Sequence, residues 1–247
     1  RAAALRRELA TLRAEKLGDL EGAIARYEAA VAANGSDTEA LKSLVDLYDK
    51  TGRTEDYLRT MERLGSVAPE GEKLATLRKL AAELEDREPA RARDAYEKLL
   101  AADGNADDAY RGLERVLAVE SNWYELVAVQ RRHIAVAKTP AVRVELYLDS
   151  AKIYERELDD PHKAIDALMN VLAIEDANKT ALSVLPRLYV RTEQFDRAVD
   201  TLVRHAPLET GDAQKAVLLA EAGRIAFENL MDPYHVLILH SRFTGVQ

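Results

Sequence analysis

The 247 residues predict an all-α chain, a right-handed α-solenoid of about six to seven helix-turn-helix repeats. Three observations lead there. Ala and Leu dominate, aromatics are 6% of the chain, and Gly (11) and Pro (7) are too few for a turn-dense all-β fold. A turn or cap followed by a small or apolar residue returns at a nearly constant interval. Between these copies the apolar residues recur at helical spacing, and no strand-like alternation interrupts them.

Taken in order, residues 2–16 read as the first helix of a repeat with no capping partner before it. Gly18, Asp19, Leu20 and Glu21 then turn into a second helix anchored on Ala23. The same arrangement returns at Asp159-Asp160-Pro161 ahead of Ala164, at Glu193-Gln194-Phe195 ahead of Ala198, and at Met231-Asp232-Pro233 ahead of Val236. Weaker copies centre on Tyr57, Ala92 and Leu126. The anchors 23, 57, 92, 126, 164, 198 and 236 are separated by 34, 35, 34, 38, 34 and 38 residues. Four extra residues make about one helical turn, so a helix lengthened by that amount keeps its buried face in register.

The intervening first helices carry their own signals. From Asp37 to Asp49, residues Ala40, Leu41, Leu44, Val45, Leu47 and Tyr48 form one face, and Lys50 to Arg53 stop the helix. Tyr57, Leu58, Met61 and Leu64 form the next face, which Pro69 ends. Ser36 and Glu39 have capping-box spacing. Thr139-Pro140, Asp160-Pro161 and Asp232-Pro233 each set a capping residue before a proline at the first helical position.

The run from Gly18 to Val31, with Leu41, Leu44, Tyr48, Gly52, Met61, Leu64 and Pro69, resembles the tetratricopeptide repeat family and its W-x2-L-G-x2-Y…A-x3-F…P signature. The resemblance extends over nearly the whole chain in about six to seven copies. The chain departs from the signature at several points. Its tryptophan position holds Leu41, Tyr110 and Leu182, and its glycine position holds Val45, Glu114 and Pro186. Gly35 and Gly104 stand where the closing proline is kept only at Pro69. Residues 1–247 are expected to form a single repeat array, itself a fragment of a longer one. Val236, Leu237, Ile238 and Leu239 are apolar with no following repeat to cover them, which points to self-association through the C-terminal copy.

Composition narrows the function. The net charge of −8 weighs against nucleic-acid binding, and the absence of Cys excludes disulfides and thiolate metal sites. No apolar run reaches membrane-spanning length. The compartment stays undetermined: the cytoplasm is favoured, and the periplasm stays open because the chain reads as a fragment. The Arg- and Ala-rich, Lys-poor composition suggests a bacterial, GC-rich source.

No catalytic constellation stands out, so an enzyme is not expected, nor a cofactor or a metal. His133, His162, His205, His235 and His240 lack metal-ligand spacing and read as surface or groove-lining imidazoles. Asp159-Asp160 reads as a helix cap and not as a metal motif. Trp123 and Tyr124 open a second helix and read as packing residues. Tyr48, Tyr154 and Tyr189 share one position in their first helices and read as core.

One pattern points to a partner. In the family the first helices line the concave surface. The position just after the family's glycine holds Asp46, Ala82, Arg115, Lys152, Arg187 and Arg224, the last four all basic. Arg111, Arg156 and Arg191 stand one helical turn from three of them, where like charges cost a helix a few tenths of a kcal/mol. These seven are the candidate partner-binding residues, against two alternatives: chance, and salt bridges between neighbouring repeats. The family's carboxylate clamp for chaperone C-termini is not expected, because its positions hold Glu8, Leu12, Lys42 and Asp46 without the needed Asn. The expected function is a non-catalytic scaffold that holds a peptide or protein segment, acidic segments fitting best. The alternative is a structural spacer or self-associating length of a larger array.

Overall fold

The structure is a computed structural model. It describes residues 18–230 together with Leu5, Glu8, Leu9 and Thr11. Of the helix expected over residues 2–16 only Leu5, Glu8, Leu9 and Thr11 are described, all four helical; the Asp232-Pro233 cap and the apolar run Val236 to Leu239 lie outside the described residues. Twelve α-helices and no strand occur among the described residues. The chain divides into two compact units, residues 1–122 and 123–247.

The first unit holds α1 (Leu20–Ala33), α2 (Thr38–Lys50), α3 (Thr54–Val67), α4 (Glu70–Leu84), α5 (Pro89–Ala102) and α6 (Asp107–Val119). The second holds α7 (Trp123–Val136), α8 (Pro140–Arg156), α9 (Pro161–Ile174), α10 (Lys179–Arg191), α11 (Phe195–His205) and α12 (Asp212–Ile225). Within each unit, helices consecutive in sequence pack on one another. This is the organisation of tetratricopeptide-like helix-turn-helix repeats, in which each pair is buried by its neighbours and not by one central core.

The repeat register is visible at single-residue level. Ala23, Tyr57, Ala92, Leu126, Ala164 and Ala198 are each the fourth residue of their helix, and all are buried. Five residues before an anchor the backbone enters the left-handed region, at Gly18, Gly52, Ser121, Asp159 and Glu193. Only two of the five are glycine, so the tight turn is imposed on three residues that disfavour it.

First helices repeat a second pattern. Leu41, Leu44, Leu47 and Tyr48 of α2 are buried, as are Leu182, Leu185, Leu188 and Tyr189 of α10. Each such leucine contributes about 1.5–3 kcal/mol when fully withdrawn from water. Helix α8 has 17 residues where α2, α6 and α10 have 13, and its added turn lies at the N-terminal end. Tyr154 therefore keeps the buried place of Tyr48 and Tyr189. The three tyrosines are core residues. The Tyr48 hydroxyl donates to Glu28 (2.6 Å), and burial and that carboxylate both push its pKa up.

Caps set the boundaries. Asp19, Asp37, Thr139, Asp160 and Asn178 accept from the backbone N–H three residues on, at 2.9 to 3.3 Å. The capping-box expectation at Ser36 is corrected: Asp37 caps α2, and the Ser36 hydroxyl donates instead to Asn34 (3.0 Å). An aspartate one place nearer the helix reaches the Ala40 N–H, which leaves Ser36 to close the preceding turn.

Candidate functional site

The outward position of the first helices is where the sequence places it. Asp46, Ala82, Arg115, Lys152, Arg187 and Arg224 are all exposed. The basic residues are not free charges, however. Arg115 forms a bidentate pair with Glu85 (2.6 and 3.1 Å). Arg187 pairs with Glu155 (2.7 Å) and Arg191 with Asp159 (2.5 Å). Pairs of the same kind join Lys42 to Glu72 (2.8 Å) and Arg78 to Asp108 (2.7 Å). Each spans about one repeat in sequence, so neighbouring repeats are tied along their first-helix side. Arg111, Lys152 and Arg224 pair within their own helices or end turns, with Asp107, Asp149, and Glu221 and Glu228. Arg156 is exposed.

The Glu85 cluster shows the electrostatics. Burial opposes ionisation of Glu85, yet hydrogen bonds from Arg115 and from the Tyr96 hydroxyl hold its carboxyl below the usual glutamate range. Burial, then the bond to Glu85, push the Tyr96 hydroxyl up. The hydrogen bond to Glu85 holds Arg115 more firmly protonated.

A cleft opens on the first-helix side of the second unit. Its volume is about 410 Å³, and it lies between α10 and α12 with α11 beneath. Pro186, Val190, Leu202, Leu218 and Ile225 make it apolar, and Arg187 and Glu221 stand in its walls. Pro186 sits inside α10, where it removes a backbone donor and is itself buried. His205 lines this cleft and also an adjoining cavity of about 470 Å³ with Glu209, Val217 and Leu218.

Of the surface or groove-lining places expected of the histidines, His205 takes the groove-lining one. It is buried, with Nε2 3.1 Å from Glu209 and Nδ1 unpartnered. Glu209 also faces Lys179 at 3.4 Å. His133 holds the equivalent place in α7 and is buried as well. Each histidine lies one turn past a core position of its helix, a signal that histidine spacing alone does not carry. The cleft residues Val190, Leu218 and Ile225 were not singled out from the sequence, because each belongs to an ordinary apolar face.

Among the described residues no group of three or more His, Asp or Glu is arranged to hold a metal ion. No helix among them is long and apolar enough to cross a membrane.

No family model matches the chain. No curated protein matches it either. Solved structures of similar fold include the MamA protein, 20% identical over 73% of this chain and 96% of that one, with a TM-score of 0.45. They also include YrrB, described as a TPR protein with an unusual peptide-binding site, 18% identical over 72% of this chain and 89% of that one, with a TM-score of 0.38. A tetratricopeptide repeat protein from Parabacteroides merdae is 17% identical over 89% of this chain and 84% of its own, with a TM-score of 0.36. At that level of likeness, the chain's own residues decide what the site can do.

Proposed function

We propose that this chain is a non-catalytic interaction scaffold, and that the first-helix side of its second unit holds a peptide segment in the cleft between α10 and α12. The cleft itself carries this reading, being an apolar floor of about 410 Å³ with a guanidinium in its wall. An aliphatic side chain of the partner fills the floor. An adjacent carboxylate of the partner meets Arg187, whose guanidinium is largely exposed while Glu155 holds it from one side. Lys152, Arg156, Arg191 and Arg224 extend the basic positions in this unit, and Arg111 and Arg115 hold the matching positions in the first. Because all of these charges except Arg156 are already paired, they select a partner and the apolar floor supplies affinity. We propose too that both units belong to one array, since the 34-residue period continues from Ala92 to Leu126.

The test is fluorescence anisotropy with labelled peptides that combine Leu or Val with Asp or Glu. Binding weakens as salt rises past about 0.1 M, and Val190→Asp abolishes it. Arg187→Gln weakens it several-fold; glutamine is used because a glutamate there would face Glu155. Peptides that bind independently of salt and of Val190→Asp overturn the cleft as the binding site.

One observation favours the self-associating reading. Val217 and Phe227, at and beyond α12, are 67% and 72% exposed. Light scattering over a dilution series decides it, because a chain that stays monomeric at every concentration rules it out.

A further inference from the structure

A second cleft lies on the other side of the repeats, between the second helices α7 and α9 with α8 as its floor. Its volume is about 310 Å³. Its origin can be read from the repeat register. At the eighth position of the other described second helices stand Tyr27, Met61, Tyr96, Leu168 and Leu202, all buried. In α7 that position is Gln130. On the first helices, the position of Leu44, Leu80, Leu113 and Leu185, and of Ala222 in α12, is taken in α8 by Ser150. Gln130 and Ser150 are themselves only 4% and 6% exposed, and the Ser150 hydroxyl donates to Gln130 Oε1 at 2.7 Å. Two large apolar side chains have thus been exchanged for a hydrogen-bonded polar pair at one place in the array. Gln130 nearly matches leucine in size, but Ser150, which lines the cleft, is much smaller, so part of the volume a leucine would fill there stays open. Such a departure from the local packing rule lowers stability without helping the fold, and departures of that kind concentrate at functional sites.

The walls indicate what enters. Tyr147 and Tyr154 of α8 present rings to the cleft, and Ser150 lies between them in the helix. Its oxygen keeps a lone pair for a donor after donating to Gln130. Arg131 lies on the α7 wall and Asp166 on the α9 wall. Both are exposed, and neither makes an ion pair among the described residues. Lys163, also in the wall, is held by Asp160 at 3.0 Å.

We propose that this cleft is a second binding site, taking one aromatic side chain of a partner peptide that carries an acidic neighbour for Arg131 and a basic neighbour for Asp166. A tyrosine fits best, because its ring matches the two wall tyrosines and its hydroxyl can donate to Ser150. The site lies on different helices from the α10–α12 cleft and does not rest on the function proposed there.

The test is a titration of the isotope-labelled chain with acetyl-Glu-Tyr-Lys-amide, using acetyl-Glu-Ala-Lys-amide as control and reading amide shifts by NMR. The expected result is shifts confined to Val127, Ser150, Ala167 and their neighbours, with the tyrosine peptide binding at least about tenfold more tightly than the control. The variant Gln130→Leu/Ser150→Leu supplies the leucines that stand at Leu168 and Leu185 in the neighbouring repeats and narrows the cleft. It should melt at a higher temperature and lose the preference for tyrosine. Arg131→Glu, on the exposed wall and harmless to packing, should weaken binding about fivefold, the scale of one exposed ion pair. No shifts in the native chain, shifts at the α10–α12 cleft instead, or a folded double variant that still prefers tyrosine would each overturn the proposal. Should the double variant fail to fold, an unchanged affinity in Arg131→Glu overturns it equally.

Discussion

Adding a single methyl group at Gly112, on α6, would test how tightly neighbouring repeats fit. An alanine Cβ there would run into the ring carbon Cζ of Tyr96 on α5 and lie 2.5 Å from its hydroxyl oxygen. Both are far inside van der Waals contact, so Tyr96 must move. Its ring is buried and its hydroxyl is committed to Glu85, which Arg115 holds from the other side. Alanine gains about 1 kcal/mol of helix propensity over glycine. Against this stand about 1–3 kcal/mol of overpacking and about 1.5–3 kcal/mol for the hydrogen bond to a charged group. The net loss is about 1.5–5 kcal/mol. With a urea slope of about 2 kcal/mol/M, the unfolding midpoint of the first unit should fall by about 0.8–2.5 M. Far-UV circular dichroism over a urea series measures this. The control is the same change in a Tyr96→Leu background, where the methyl group meets no ring and the propensity gain of up to about 1 kcal/mol should emerge. A Gly112→Ala chain that is more stable than the native one, or equal responses in the two backgrounds, would refute the tight contact between Tyr96 and Gly112.

Other perturbations follow from the same structure. Ala164→Arg buries a guanidinium at a fully inaccessible anchor and should cost several kcal/mol, so a melting curve like that of the native chain would show the register to be wrong. Glu193→Gly relieves a left-handed backbone position (φ 58°) and should stabilise the second unit by about 1 kcal/mol; a lower urea midpoint would contradict this. Asp160→Ala removes the cap on the Lys163 N–H and should cost about 1 kcal/mol, read in the same assay. Glu85 has a depressed pKa in the folded chain. Its contribution is therefore complete above the ordinary glutamate value near 4.5 and is lost as pH falls through the lower folded value. Arg115→Met should flatten this acid dependence, and an unchanged slope of stability against pH below 4.5 would remove Arg115 as its cause.

The parts of this protein legible in its sequence are those that depend on local periodicity. Helix type, the 34-residue period, the anchor residues, the proline-marked caps at Thr139 and Asp160, and the extra turn of α8 all follow from residues within a few positions of one another. The outward position of Arg115, Lys152, Arg187 and Arg224 is legible for the same reason, since a helix converts spacing directly into direction. Tertiary packing decided the rest. It folded Ser121, Asp159 and Glu193 into a turn that only Gly18 and Gly52 advertise, because the two helices of a repeat must meet at one angle whatever residue joins them. It paired Arg187 with Glu155 and Arg115 with Glu85, partners about 30 residues apart that face each other only once the first helices lie side by side. It also buried His205, and it set Gln130 against Ser150. A helical pattern states which residues share a face, but a void or an ion pair is a property of two faces brought together.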